Sequence, residues 1–174
     1  MATPQIGDAG RLVGLVVACF NGHSHRPTKP SKAVRRWDGK TPYAIHPTWC
    51  SMTVLTETAL SEVLRERLSQ ALLFHDFKED TAASLPVGLA AGVETLVDLM
   101  TFESSDVEME QVWTRGEEVL LAKLYDKVSN LLDGSWMSPE KRAKYCAYTM
   151  KLCEEVESLH GQLNITKMAR AIVA

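Results

Sequence analysis

Ala71-Leu72-Leu73-Phe74-His75-Asp76-Phe77-Lys78-Glu79-Asp80-Thr81 sets an apolar helical run directly against a His-Asp-x-x-Glu-Asp cluster. Upstream, Val63, Leu64, Leu68, Ala71 and Leu72 have the spacing of a helix with one buried face. Ser61 is a candidate N-cap for it. On a continuous helix, positions four apart share a face, so His75 is expected above Glu79 and Asp76 above Asp80. The acids alone read as a solvated helix end, and a lone histidine here is more often a hydrogen-bonded core residue. A His-Asp pair straight after Leu72, Leu73 and Phe74 is harder to place, because aspartate is rarely buried without a partner. Several carboxylates buried together also need neutralising charge. A divalent cation is the simplest source of it.

Two other segments offer further donors. Thr41-Pro42-Tyr43-Ala44-Ile45-His46-Pro47 places a histidine at a loop-to-helix junction, with the helix expected after Pro47. Asp126 lies in the apolar helix that carries Val119, Leu120, Leu124, Val128 and Leu131, with Asn130 one turn further along the same face. Flanked by Lys123 and Lys127, Asp126 taken alone reads as a surface residue. Together His46, His75, Asp76 and Asp126 form a mixed imidazole and carboxylate set, which suits manganese, iron or zinc better than calcium.

The rest of the chain bounds this reading. Its 174 residues, 45% hydrophobic and 24% charged, fit one soluble globular domain. No apolar run has the length of a membrane span. The stretch Leu12 to Phe20 reads as a buried helix, about Asp8 to Asn21, rather than a signal peptide, so a cytoplasmic protein is expected. Its buried side chains should be Leu12, Val16, Val17 and Phe20. Cys19, Cys50, Cys146 and Cys153 form no CxxC pair and read as reduced, buried thiols. Net charge is −3, which gives no reason to expect nucleic-acid binding. Residues 21–40 nevertheless hold six basic side chains and one acid, and taken alone read as a solvated loop broken by Gly22, Pro27, Pro30 and Gly39.

Helical periodicity dominates elsewhere. Pro86 suits the first position of a helix to Met100. The acidic stretch 101–110 reads as a loop or fraying turn. Gly134 should stop the long helix, Ser138-Pro139 should open the next, and Gly161 should close it near His160. A terminal helix then spans Leu163 to Val173. The fold class predicted is all-α, a helical bundle around a central metal site, formed by residues 1–174 as a single domain.

Three segments in this order resemble the hydrolase domain of the RelA/SpoT family, within the HD superfamily of metal-dependent phosphohydrolases. The first runs Arg35-Arg36-Trp37-Asp38-Gly39-Lys40-Thr41-Pro42-Tyr43-Ala44-Ile45-His46-Pro47, similar to the family's Arg-Lys, turn and Pro-Tyr-Ile-x-His-Pro. The second is Ala71 to Thr81, similar to Ala-x-Leu-Leu-His-Asp-x-x-Glu-Asp-Thr with Phe74 for the last leucine. The third, Lys123-Leu124-Tyr125-Asp126-Lys127-Val128-Ser129-Asn130-Leu131, is similar to Lys-Leu-Ala-Asp-Lys-Leu-x-Asn-Leu. The likeness covers about residues 12 to 134. The family's Ala-His-x-Gly-Gln element is represented only by Asn21-Gly22-His23-Ser24-His25-Arg26, and Trp37 and Tyr125 are bulkier than the pattern, at places expected to meet the nucleoside.

The resemblance implies a pyrophosphohydrolase of the small, hydrolase-only kind, removing the 3′-diphosphate of the guanosine alarmone (p)ppGpp. Manganese is the expected ion, with iron, zinc, cobalt or nickel as alternatives. Glu79 and Asp80 would position water and handle its proton. Arg35 and Arg36 would contact phosphates or stack on the base, and Asn130 would bond a sugar hydroxyl. A homo-oligomer is compatible with this reading. Two other readings stand beside it: hydrolysis of another nucleotide, such as a deoxynucleoside mono- or triphosphate, and a non-catalytic binding protein of the same fold.

Overall fold

The computed structural model describes residues 6–174, with side chains from residue 10 onward. The helices are α1 (Ile6–His25), α2 (Ile45–Val54), α3 (Glu62–Phe74), α4 (Phe77–Asp80), α5 (Val93–Met100), α6 (Ser105–Gln111), α7 (Glu117–Leu132), α8 (Pro139–His160) and α9 (Asn164–Val173). Among the described residues there is no strand, only the isolated bridges Pro27–Thr81 and Val34–Pro42. No described helix is long and apolar enough to cross a membrane.

The axis of the bundle is α7. Every residue from Val119 to Ser129 is buried, so the helix is covered all round. It packs against α2, α3, α5, α8 and α9. Its solvent-free faces include Leu121, Leu124 and Val128, each contributing about 1.5–3 kcal/mol by leaving water, and the ring of Tyr125. A polar residue on this helix therefore faces protein or a cleft.

The expected caps are present. Ser61 accepts from the Leu64 amide and Ser138 from the Lys141 amide, with Pro139 at the first position of α8. Gly161, at φ +74°, ends α8 in a conformation L side chains rarely adopt. Four boundaries differ from expectation. α2 starts at Ile45, because Pro47 sits in the first turn, where its missing N–H has no intrahelical partner to lose. Pro86 opens no helix: the chain turns through Gly88 and Gly92, both with positive φ, and α5 begins at Val93. Residues 105–111 form α6, capped by the Ser104 hydroxyl on the Val107 amide. α1 runs on to His25, and buries Leu15 and Cys19 rather than Val17, which is 52% exposed. The cysteines are free as expected, with Cys146 only half-buried.

Two close approaches fix the ends of the bundle. α1 lies so near α4 that a Cβ on Gly22 would fall 2.2 Å from the Phe77 ring, so only glycine fits there. Glu57, buried after α2, accepts from the Tyr125 hydroxyl and from the amides of Asn164 and Ile165. It thereby accepts two first-turn amides that the Leu163 N-cap cannot, while the Thr166 hydroxyl accepts the Leu163 amide. Glu57→Ala should leave these donors buried and unpaired. We expect it to lower unfolding free energy by about 3 kcal/mol or more in urea titration; an unchanged midpoint would show that α9 is held by its apolar face alone.

Candidate metal centre

α3 ends at Phe74 rather than running through the His-Asp pair. His75 is its C-cap, and Asp76, at φ −93° and ψ 0°, breaks the helix before the single turn of α4. His75 and Glu79 are therefore not stacked on one continuous helix. The break turns both His75 and Asp76 toward α7 and the first turn of α2.

Four side chains meet there. The Nε2 atom of His75 lies 3.2 Å from Asp76 Oδ2 and 3.7 Å from Asp126 Oδ1. The Nε2 atom of His46 lies 3.6 Å and 3.3 Å from the same two oxygens. One donor atom each from His46, His75 and Asp126 falls within a mutual 4.8 Å. Ligands about 2.1 Å from one ion stand roughly 3.0–3.4 Å apart in tetrahedral or octahedral geometry. The observed spacings, 3.2–3.7 Å, lie at or just above that range.

The second ring nitrogens decide how the imidazoles are presented. His75 Nδ1 is 2.6 Å from the Leu72 carbonyl oxygen, which can only accept, so Nδ1 carries a proton and donates it. His46 Nδ1 pairs with the Ser129 hydroxyl at 2.8 Å. Both Nε2 atoms are buried with no hydrogen-bond partner. Two buried imidazole nitrogens aimed at two carboxylates, each ring oriented from its far side, are what a divalent cation requires. The carboxylates are braced as well. Tyr43 donates to Asp76 Oδ2 at 2.6 Å, and Asn130 Nδ2 donates to Asp126 Oδ1 at 2.6 Å.

Electrostatics sharpen the picture. Burial alone would depress His75, but Asp76 and Asp126 outweigh it and push its pKa up to about 10. His46 is lowered, with burial prevailing over the nearby Asp126 carboxylate. Asp76 and Asp126 are held well below the usual carboxylate range. Burial opposes this, but His75 dominates for Asp76, and Lys127 with the imidazoles for Asp126.

Asp76 and Asp126 form the floor of a cleft of about 360 Å³, with the two imidazoles buried behind them. Glu79 stands on its wall and accepts the Phe102 amide at 3.1 Å. Water reaches Glu79 through the mouth, yet the surrounding protein still raises its pKa, with Asp76's charge adding to the effect. Asp80 is buried and paired to Lys32 at 2.6 Å. The basic segment is thus not a free loop: Thr28 N bonds the Asp80 carbonyl, and the Ala82 amide bonds Arg26. His23 is fully buried between Tyr43 and Phe77, and desolvation holds it down to about 4.

Other expected substrate groups are placed differently. Arg35 is buried and donates to Asp133 at 2.5 Å and Asn130 at 3.0 Å, so Asn130 uses both ends of its amide on protein groups. Arg36 faces the cleft over the Trp136 ring at 4.7 Å, opposite Lys141 at 4.6 Å. Tyr125 points away into the core toward Glu57, and so does not narrow the cleft. Trp37 is half-exposed beside a separate, more apolar groove with Ile45 and Trp49.

The chain matches no protein-family model and no curated protein. Among solved structures it is similar to one described as a metazoan ortholog of SpoT that hydrolyzes ppGpp and plays a role in starvation responses. That likeness has a TM-score of 0.67 at 21% identity, over 99% of this chain and 96% of the other. This chain has that fold, an all-α bundle.

Asp76 and Asp126 favour a proton on His75 Nε2 in the metal-free protein, and a metal bound there must displace it while Nδ1 keeps the one it donates to Leu72. Manganese affinity should therefore rise with pH from 6 to 9, by about tenfold per unit where this single site controls it. Calorimetry in buffers of different ionisation enthalpy should show about one proton released per ion. Flat affinity with no proton release would show that His75 Nε2 is already unprotonated in the metal-free protein.

Proposed function

We propose that the protein, as one HD-type domain over residues 1–174, is a metal-dependent nucleotide phosphohydrolase that removes the 3′-diphosphate of (p)ppGpp. The observation that supports this most is the convergence of His46 and His75 on Asp76 and Asp126, the two carboxylates that floor a cleft lined by cations. These four would hold the ion, with manganese the leading candidate. A divalent ion held there would act as a Lewis acid on a phosphoryl oxygen and make water a stronger acid.

The remaining roles belong to the chain's own groups. Glu79, with its raised basicity, sits on the wall above Asp76 and is suited to orient water and accept its proton. Asp80, also raised by burial and by Asp76, holds Lys32 at the cleft edge and so brings the basic segment toward an anionic substrate. Arg36 and Lys141 present cations on the cleft wall for phosphate groups. Arg35 and Asn130 line the same cleft. Their inward bonds brace Asp126, and their outer edges are what a nucleoside would meet.

A panel of nucleotides with manganese, scored for the released product, tests the substrate. Pyrophosphate from (p)ppGpp is the expected outcome. Triphosphate or monophosphate released from a deoxynucleotide instead would favour another nucleotide substrate, and manganese binding with no turnover would favour a binding protein. Glu79→Gln should keep metal and substrate binding while kcat falls by about 10²–10⁴. Full activity at full metal occupancy would remove Glu79 from the mechanism.

A further inference from the structure

Next to Asp126 the cleft wall holds a buried cluster of charge that the ligand set alone does not explain. Lys127 Nζ lies 2.9 Å from Asp126 Oδ2, the oxygen turned away from the imidazoles, and Lys123 Nζ lies 3.6 Å from it. Both lysines are almost wholly buried, Lys123 at 3% and Lys127 at 5% exposure. Such ammonium groups need compensating charge. It comes from Glu108 on α6, itself 5% exposed. Glu108 accepts from Lys123 at 2.9 Å, from Lys127 at 2.8 Å and from the Tyr148 hydroxyl at 3.0 Å. The cluster therefore contains two ammoniums and two carboxylates and is close to neutral.

We infer that Glu108 is a positioning residue of the metal centre, acting through Lys123 and Lys127. This rests on the metal reading of His46, His75, Asp76 and Asp126. Glu108 draws both lysines outward. Lys127 then occupies Oδ2 of Asp126, and Oδ1 alone is left facing the two imidazoles. Without the Glu108 charge, both ammoniums would turn on Asp126, and one uncompensated positive charge would stand beside the cation site. Like charges at this range in a buried setting repel strongly. Glu108 would thus set cation affinity without touching the cation.

The test is manganese affinity, measured by calorimetry on purified full-length protein with wild-type circular dichroism. Glu108→Gln keeps shape and removes charge; it should weaken binding by about ten- to a hundredfold, the usual cost of losing a group that orients a ligand. Adding Lys123→Met to it restores neutrality and should recover most of that loss. A purely structural role predicts the reverse, with the double variant weaker than the single. Lys123→Met alone leaves a net negative cluster and should bind manganese more tightly than wild type. This variant decides the matter even if Glu108→Gln does not fold. Wild-type affinity in Glu108→Gln, no recovery in the double variant, or weaker binding in Lys123→Met would each overturn the inference. Wild-type protein that binds no divalent ion would instead overturn the metal reading on which it stands.

Discussion

Two imidazoles and two carboxylates are brought to one point inside an all-helical protein, and that concentration of buried charge constrains much of the structure around it. Carboxylates that close would repel one another in an apolar setting, and unpartnered imidazole nitrogens cost the full desolvation of a polar group. The arrangement persists because each group is braced from behind. Leu72 and Ser129 orient the rings, Tyr43 and Asn130 hold the carboxylates, and Lys127 covers the outer oxygen of Asp126. The braces come from the ends and faces of different helices, so the bundle and the centre specify one another.

The same economy explains the surroundings. α7 is buried all round from Val119 to Ser129, so Asp126, Lys123 and Lys127 cannot be a solvated face and must form a paired network. α6 closes that network through Glu108, and the basic segment closes the other side through Lys32 and Asp80. Arg35 reaches through Asn130 and Asp133 to join the first loop to the end of α7. The cleft that results has an acidic floor and basic walls, a distribution suited to a cation and a polyanion together.

The parts legible in the sequence were those encoded locally. Ser61, Ser138-Pro139 and Gly161 mark helix ends by chemistry within a few residues. The His75-Asp76 pair stood out because two polar residues interrupted an apolar run. The break at Asp76 was not legible, since no glycine or proline marks it and the pull comes from α7 and α2. Glu108 looked like part of an acidic loop because its partners lie 15, 19 and 40 positions away. Glu57 is hidden for the same reason, with α9 more than 100 residues downstream. The direction of Tyr125 was within reach: one step along a helix rotates a side chain by about 100°, so it leaves the face that Asp126 occupies.

The central claim is that His46, His75, Asp76 and Asp126 surround a single divalent ion. The most direct measurement is anomalous diffraction at the manganese absorption edge from a crystal of manganese-loaded protein. The account predicts one strong peak, about 2.0–2.3 Å from both histidine Nε2 atoms, Asp76 Oδ2 and Asp126 Oδ1. A peak elsewhere on the chain, or none between these four side chains at saturating manganese, would contradict it.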